Sequence, residues 1–360
     1  MYAKRNYSVK IMLLWTRRNI YKFIAIATIP TVLYVVFDWE FIRLPWLPIA
    51  LVGSALAFVV SFKNKASYDR LWEARKVWGG IVNTSRSLTI MINDFIKNEL
   101  NEEKLSDNEL FAIRKQLVMR HVAWMTSLRH ALRTPKPWEM SDTNSSDKEY
   151  MKDIQINEQK FTLEEELVGY LSEDEKAYVL SKSNKQNTCL NLQSKHLRKL
   201  KDRDLISWFS YVEMEKLIVE LFTLQGKTER IKNSPYPRQF ATLNLFFVWI
   251  FVFLLPFGII NFFDKIGLEI LKNSSNSSAI TEFIAKNLVW LSIPFSVIIS
   301  WIFHTMERIG EVSENPFEGF ADDIPITTMA RGIEIDIRQM IDDDLSLIPD
   351  PIPEQEGIQM

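Results

Sequence analysis

The run FATLNLFFVWIFVFLLPFGIINFF, residues 240–263, contains no charged side chain. An α-helix needs roughly 20 mostly apolar residues to cross the hydrocarbon core of a bilayer. A helix that is apolar on every face has to be buried all round, in protein or in lipid. This run therefore predicts a membrane span. Three further stretches approach the same standard: 21–37, 44–62 and 284–306. Each is imperfect. The first is short and holds Pro30, and the second holds Gly53, Ser54 and Ser61. The fourth holds Asn287, Ser292, Ser296 and Ser300. Prolines and small polar residues are tolerated in spans where neighbouring helices or a water-filled path satisfy the backbone. One clean span beside three imperfect ones predicts a bundle of four transmembrane helices around a polar route.

Averages hide this pattern. The chain has 360 residues, a formal net charge of −2, 23 Phe and 11 Trp, and the apolar residues are concentrated in the four runs. The near-neutral charge gives no reason to expect nucleic acid as a partner. The single Cys189 excludes an internal disulfide framework. No small-residue cleavage pattern follows the first apolar run, which continues into Phe37-Asp38-Trp39-Glu40, so it is read as retained.

Basic residues set the expected orientation. Lys4, Arg5, Lys10, Arg17 and Arg18 precede the first span, and Lys63, Lys65, Arg70, Arg75 and Lys76 follow the second. The connection between spans three and four, with NSSNSS at 273–278, is nearly uncharged. The positive-inside rule places both termini and residues 63–239 in the cytoplasm of a multi-pass inner or plasma membrane protein. Four regions follow: 1–62 with spans one and two, 63–239 as a helical cytosolic region, 240–306 with spans three and four, and 307–360 as a cytosolic C-terminal segment. Apolar residues at helical spacing run through 68–96 and 204–231, with polar loops expected at 134–150 and 180–195. The class is all-α. After residue 344, LSLIPDPIPEQEGIQM is expected to be extended or disordered.

Enzyme motifs are missing: there is no glycine-rich phosphate loop and no nucleophile elbow. His121 and His130 are spaced wrongly to share a helix face. A secondary transporter normally carries charges deep in its spans; here Lys22, Lys286 and Glu307 sit only near span ends. In the second span Ser54, Phe58 and Phe62 recur every four residues and share one face over two turns. Spacing alone suits packed or lipid-facing aromatics. The functional reading is an apolar constriction, in which rings of aromatic side chains control wetting. Next comes FKNKASYDRLWEARKVWG, 62–79, in which Arg70–Glu73 and Glu73–Lys76 are spaced to pair along a helix, with Arg75 between.

That stretch resembles the exit of the second helix in the bestrophin family, particularly its bacterial members and the related plant thylakoid anion channels. TERIKNSPYP (228–237), LLPFG (254–258) and MERIGEVSENPFEGFADDIPI (306–326) are similar to further family stretches in the same order. The resemblance implies a homopentamer with four spans per subunit, a large helical cytosolic portion and an axial pore in the lipid bilayer. It implies a passive ion channel, for chloride or similar anions, and no enzyme. Cation (Na+ or K+) conduction through the same fold is the alternative, because an apolar neck carries no charge to fix the sign. A non-conducting scaffold binding a cytosolic partner is the alternative of another class. The resemblance puts Ser54, Phe58 and Phe62 at the neck, with Ser54 departing from the family's bulky apolar residues. It puts a second, cytosolic constriction near Ile206. Arg70, Glu73, Arg75, Asn315, Pro316 and Phe317 become structural motif residues. Animal members bind calcium through an acidic run after Asn-Pro-Phe. Here only Asp322 and Asp323 offer themselves, separated from the motif, so no cofactor is expected and calcium dependence is not.

Overall fold

The computed structural model describes residues 1–98, 104–139, 145–273 and 279–360. Residues 140–144 of the predicted 134–150 loop and 274–278 of the polar connection lie outside the described residues. Among the described residues, four helices are long and apolar enough to cross a membrane. They are α1 (Val9–Phe37), α2 (Trp46–Phe95), α10 (Arg238–Asn273), and the broken unit of α11 (Ala279–Asn287), a 3-10 turn (Leu288–Leu291) and α12 (Ser292–Val312). Among the described residues no strand forms, only isolated bridges. Between α2 and α10 lie α3 (Asp107–Arg133), the short α4 (Ser145–Tyr150), α5 (Asn157–Lys160), α6 (Leu163–Glu166) and α7 (Glu173–Leu180), then α8 (Lys185–Asp202) and α9 (Trp208–Asn233). After the last span comes α13 (Ile326–Met340).

Helix starts follow from capping chemistry. Ser8 Oγ accepts from the Ile11 amide at 3.2 Å and opens α1. Ser106 and Glu109 form a reciprocal capping box at α3, and Ser207 caps α9 through the Ser210 amide at 3.0 Å. Pro294 falls in the first turn of α12, where no intrahelical donor is lost, so the fourth span restarts there. Pro30 lies inside α1, and next to it Thr31 Oγ1 bonds both Ala27 O and Ser292 Oγ at 2.9 Å, tying α1 to α12.

The spans pack on one apolar cluster that includes Phe23, Ile49, Leu56, Val60, Val248 and Phe251. Gly53 permits that closeness, because a Cβ there would stand 2.8 Å from the Phe251 ring. The second core is larger and lies among α2, α3, α8, α9 and α13, with Trp78 and Trp124 fully buried. The 50-residue α2 joins both cores. At 1.5 Å per residue it is about 75 Å long, more than twice a hydrocarbon core. Its backbone shows no break at the 62/63 boundary.

Two expectations are corrected. Of the predicted polar loop at 180–195, residues 185–195 belong to α8. Its Gln186, Cys189, Leu190, Gln193 and Leu197 recur at helical spacing on the buried face, and the polar residues between them concealed the periodicity. The tail is packed rather than disordered. Ile358 and Met360 are buried, the Ala3 amide donates to Gly357 O at 2.7 Å, and the Thr328 amide donates to Met360 O at 2.6 Å. Backbone pairing with the N-terminal segment supplies the partners that the tail's composition does not advertise.

His121 of α3 is fully buried, with Nε2 2.8 Å from Ser85 Oγ. Burial pushes it down to about 3, and burial likewise holds His196 at about 4. An unfolded chain takes up these protons near pH 6.5 while the folded one refuses them. The stability they supply is therefore complete above about 6.5 and is lost as pH falls toward 3, at about 1.4 kcal/mol per unit for His121. Thermal midpoints in detergent are expected to fall between pH 7 and 5, and His121→Asn is expected to flatten that slope. An unchanged slope in the variant would contradict the burial argument.

Candidate functional site

Helix α2 has two faces within the membrane. Gly53, Leu56 and Val60 are buried against α10, whereas Ser54, Phe58 and Phe62 point out of the subunit. Phe58 is 68 % exposed and Phe62 72 %. The Ser54 hydroxyl turns back to Ala50 O at 2.9 Å, so its donor is satisfied within the helix. The exposed face does not end at the membrane. Leu51, Ala55, Phe58, Phe62, Lys65 and Asp69 continue it at alternating steps of four and three, the spacing that keeps one seam facing a partner. The stripe is apolar through Phe62 and charged beyond it, where Lys65 and Asp69 pair at 2.5 Å.

Directly behind Phe62 stands a buried ion pair. Lys63 Nζ lies 2.5 Å from Glu307 Oε1 of α12, and both side chains are 1 % exposed. Glu307 Oε2 has no hydrogen-bond partner among the described residues. Gly310, one turn on, meets Asn64, the neighbour of Lys63. About two turns further along α2, Arg70 donates from Nε to Glu314 O at 2.9 Å and from Nη2 to Ile231 O at 2.9 Å. It thereby staples the end of α9 to the turn after the fourth span. This corrects the predicted local pairing: Glu73 bonds Arg230 of α9 at 2.5 Å rather than Arg70 or Lys76, and Arg75 reaches Met329 Sδ at 3.5 Å. Ion pairs between helices outrank the i,i+3 geometry because packing has already brought the partners together.

The Asn-Pro-Phe turn is structural in the same sense. Asn315 Nδ2 donates to Glu318 Oε1 at 2.5 Å, and the Ile324 amide returns to Pro316 O at 3.2 Å. Phe317 is buried in the larger core. Asp322 accepts from the Tyr7 hydroxyl at 2.7 Å. Asp323 Oδ2 accepts the Gly319 and Phe320 amides at 2.6 and 3.1 Å and stands 3.8 Å from Arg133 Nη1. Desolvation pushes Asp323 up to about 6. A calcium ion needs six to eight oxygen ligands. Asp323 already faces a cation and Asp322 faces a phenol, so this pair does not suit one. No group of three His, Cys, Asp or Glu able to hold a metal occurs among the described residues.

Ile206 is 2 % exposed and packs in the larger core, so its side chain has no free surface in the subunit. Its exposed neighbours are Trp208 and Phe209, at the start of α9. Sequence reasoning missed Lys63–Glu307 and the joint at Asp147. That joint takes Trp15 Nε1 at 2.7 Å and also pairs with Arg308. Both link residues far apart in the chain, and no periodic signal marks them.

These observations define a multi-pass helical membrane protein in which one continuous helix carries an exposed apolar-to-charged stripe. The profile described as Bacterial/Fungal Bestrophin protein matches residues 12–269 and 283–339. The chain belongs to the bacterial and fungal bestrophin family. It is 24 % identical over 302 residues to the voltage-dependent anion channel-forming protein YneE of Escherichia coli K12, covering 84 % of this chain and 79 % of that one. It is 26 % identical over 300 residues to the voltage-dependent anion channel-forming protein RSc3414 of Ralstonia nicotianae, covering 83 % and 78 %. The fold is similar to that of a bacterial bestrophin homologue from Klebsiella pneumoniae, with a TM-score of 0.69, 22 % identity and coverage of 91 % and 99 %.

Proposed function

We propose that the chain is the subunit of a homopentameric channel that passively conducts anions, chloride foremost. The observation that carries this is the exposed α2 stripe. In a lone subunit Phe58 and Phe62 would be two large unpaired aromatics on a helix whose other face is fully packed. Around a symmetry axis they become rings at an apolar neck, with Ser54 widening and wetting its outer end. Aromatic ring edges carry partial positive charge, which favours a passing anion over a cation. The anion channel-forming relatives support the same sign. The positive flanks support a cytoplasmic side of an inner or plasma membrane for the long-helix body and both termini. The test is current across a planar bilayer holding purified protein whose subunit number has been measured by light scattering. A conducting species of five chains is expected. A bilayer that stays sealed under both ion gradients would return the chain to a scaffold role.

A further inference from the structure

The charges beside the proposed neck are not equally placed to act on an ion. Lys63, Lys65, Asp69, Arg70 and Glu73 all fall within about three turns of Phe62. Three of them are engaged elsewhere. Lys63 is buried against Glu307. Arg70 gives its guanidinium to the carbonyls of Glu314 and Ile231. Glu73 pairs with Arg230 of α9 and lies about 16 Å along the helix from Phe62. Lys65 and Asp69 remain, on the exposed face that carries Phe58 and Phe62, with side chains 67 % and 55 % exposed.

These two are bonded to each other at 2.5 Å, four residues apart on one helix. Lys65 Nζ also lies 5.7 Å from the centre of the Tyr68 ring. Neither contact removes the ammonium from water, and an exposed pair of this spacing is weak. Distance therefore decides how each charge acts on the neck. Lys65 is about 4.5 Å beyond Phe62 along the helix, and Asp69 about 10.5 Å. The screening length at physiological salt is about 8 Å. Lys65 stands well inside it and Asp69 outside it. Lys76, exposed on the same face, is about 21 Å away. At the neck the near cation outweighs the farther charges, although its pair with Asp69 is neutral in sum.

We propose that Lys65 is the charge-selecting residue of the pore, forming a ring of ammonium groups at the inner mouth of the neck that draws in small anions. Asp69 tempers that ring. The inference rests on the channel reading above and names the residue that gives it its sign. Fixed charge of one sign at a narrow mouth raises the local concentration of counter-ions. Phe58 and Phe62 set the width of the path, and Lys65 sets which ions are concentrated at it.

The test is the reversal potential of Lys65→Gln against the parent, in planar bilayers under a threefold potassium chloride gradient. From about 0.1 M, where screening acts over about 10 Å, the variant is expected to lower the chloride-to-potassium permeability ratio about threefold. Asp69→Asn is expected to raise it. From about 1 M, where the screening length is about 3 Å, the three proteins are expected to converge. Lys76→Gln controls for distance and is expected to stay near the parent. Lys65 and Asp69 are exposed, so these variants are expected to fold, and light scattering checks the oligomer. A Lys65→Gln channel that keeps the parent's ratio at low salt, or an equal shift in Lys76→Gln, would overturn the proposal and leave the conduction reading standing. A parent that carries no current would overturn both. The shift is read relative to the parent, so a parent of either selectivity tests it.

Discussion

Lys63→Met is expected to lower the stability of the detergent-solubilised protein by about 3–5 kcal/mol, a large part of the margin of a typical domain. The reason is asymmetric. The pair Lys63–Glu307 is buried to 1 % on both sides, and removing the ammonium strands a carboxylate whose second oxygen already lacks a partner. Removing both charges does not strand anything. Lys63→Met with Glu307→Met is therefore expected to recover most of the loss, since apolar replacements of buried pairs are often neutral or stabilising. The double-mutant cycle gives the coupling directly from four thermal midpoints. A single variant that melts with the parent would show that the pair is hydrated and not buried. The site matters beyond stability because Lys63 follows Phe62 immediately, so the pair fixes the stretch of α2 that carries the proposed neck.

Phe58→Ala with Phe62→Ala is expected to raise single-channel conductance several-fold, because an apolar constriction limits conduction by dewetting and smaller side chains widen it. Both rings are exposed in the subunit, so their removal is expected to change stability by little more than about 0.5 kcal/mol each. Ser54→Phe should act in the opposite direction, narrowing the proposed neck at the small, polar member of the Ser54, Phe58, Phe62 face. Unchanged conductance in the double variant would return Phe58 and Phe62 to ordinary packing. A variant that fails to assemble would show as a lost oligomer and not as a sealed one.

Much of the architecture was legible because its signals are local. One charge-free run of span length and three shorter or interrupted apolar runs marked the four apolar helices, and their stops coincide with visible chemistry such as Asp38, which ends α1 in the left-handed region at φ 54°. The Ser54, Phe58, Phe62 face was legible because a straight helix keeps its register, and the structure does leave that face uncovered. The Asn-Pro-Phe stretch was legible as a turn, which the Asn315–Glu318 and Ile324–Pro316 hydrogen bonds close. What stayed hidden depends on contacts between distant segments. Nothing near Lys63 points to Glu307, and nothing near Arg70 points to the carbonyls of Ile231 and Glu314. Ile206 was pointed to only by the family resemblance, near the start of α9. Only the packing of α2, α3 and α9 shows it turned inward. The tail failed for a related reason: its order comes from the N-terminal segment, which lies at the other end of the sequence.

The central claim is anion conduction through the α2 face, and a reversal potential tests it most directly. Purified protein in a planar bilayer with a tenfold potassium chloride gradient is predicted to give current reversing toward the chloride equilibrium potential, roughly 59 mV from zero for a perfectly selective monovalent pore. The value should be the same with and without calcium. Reversal toward the potassium potential would contradict the account.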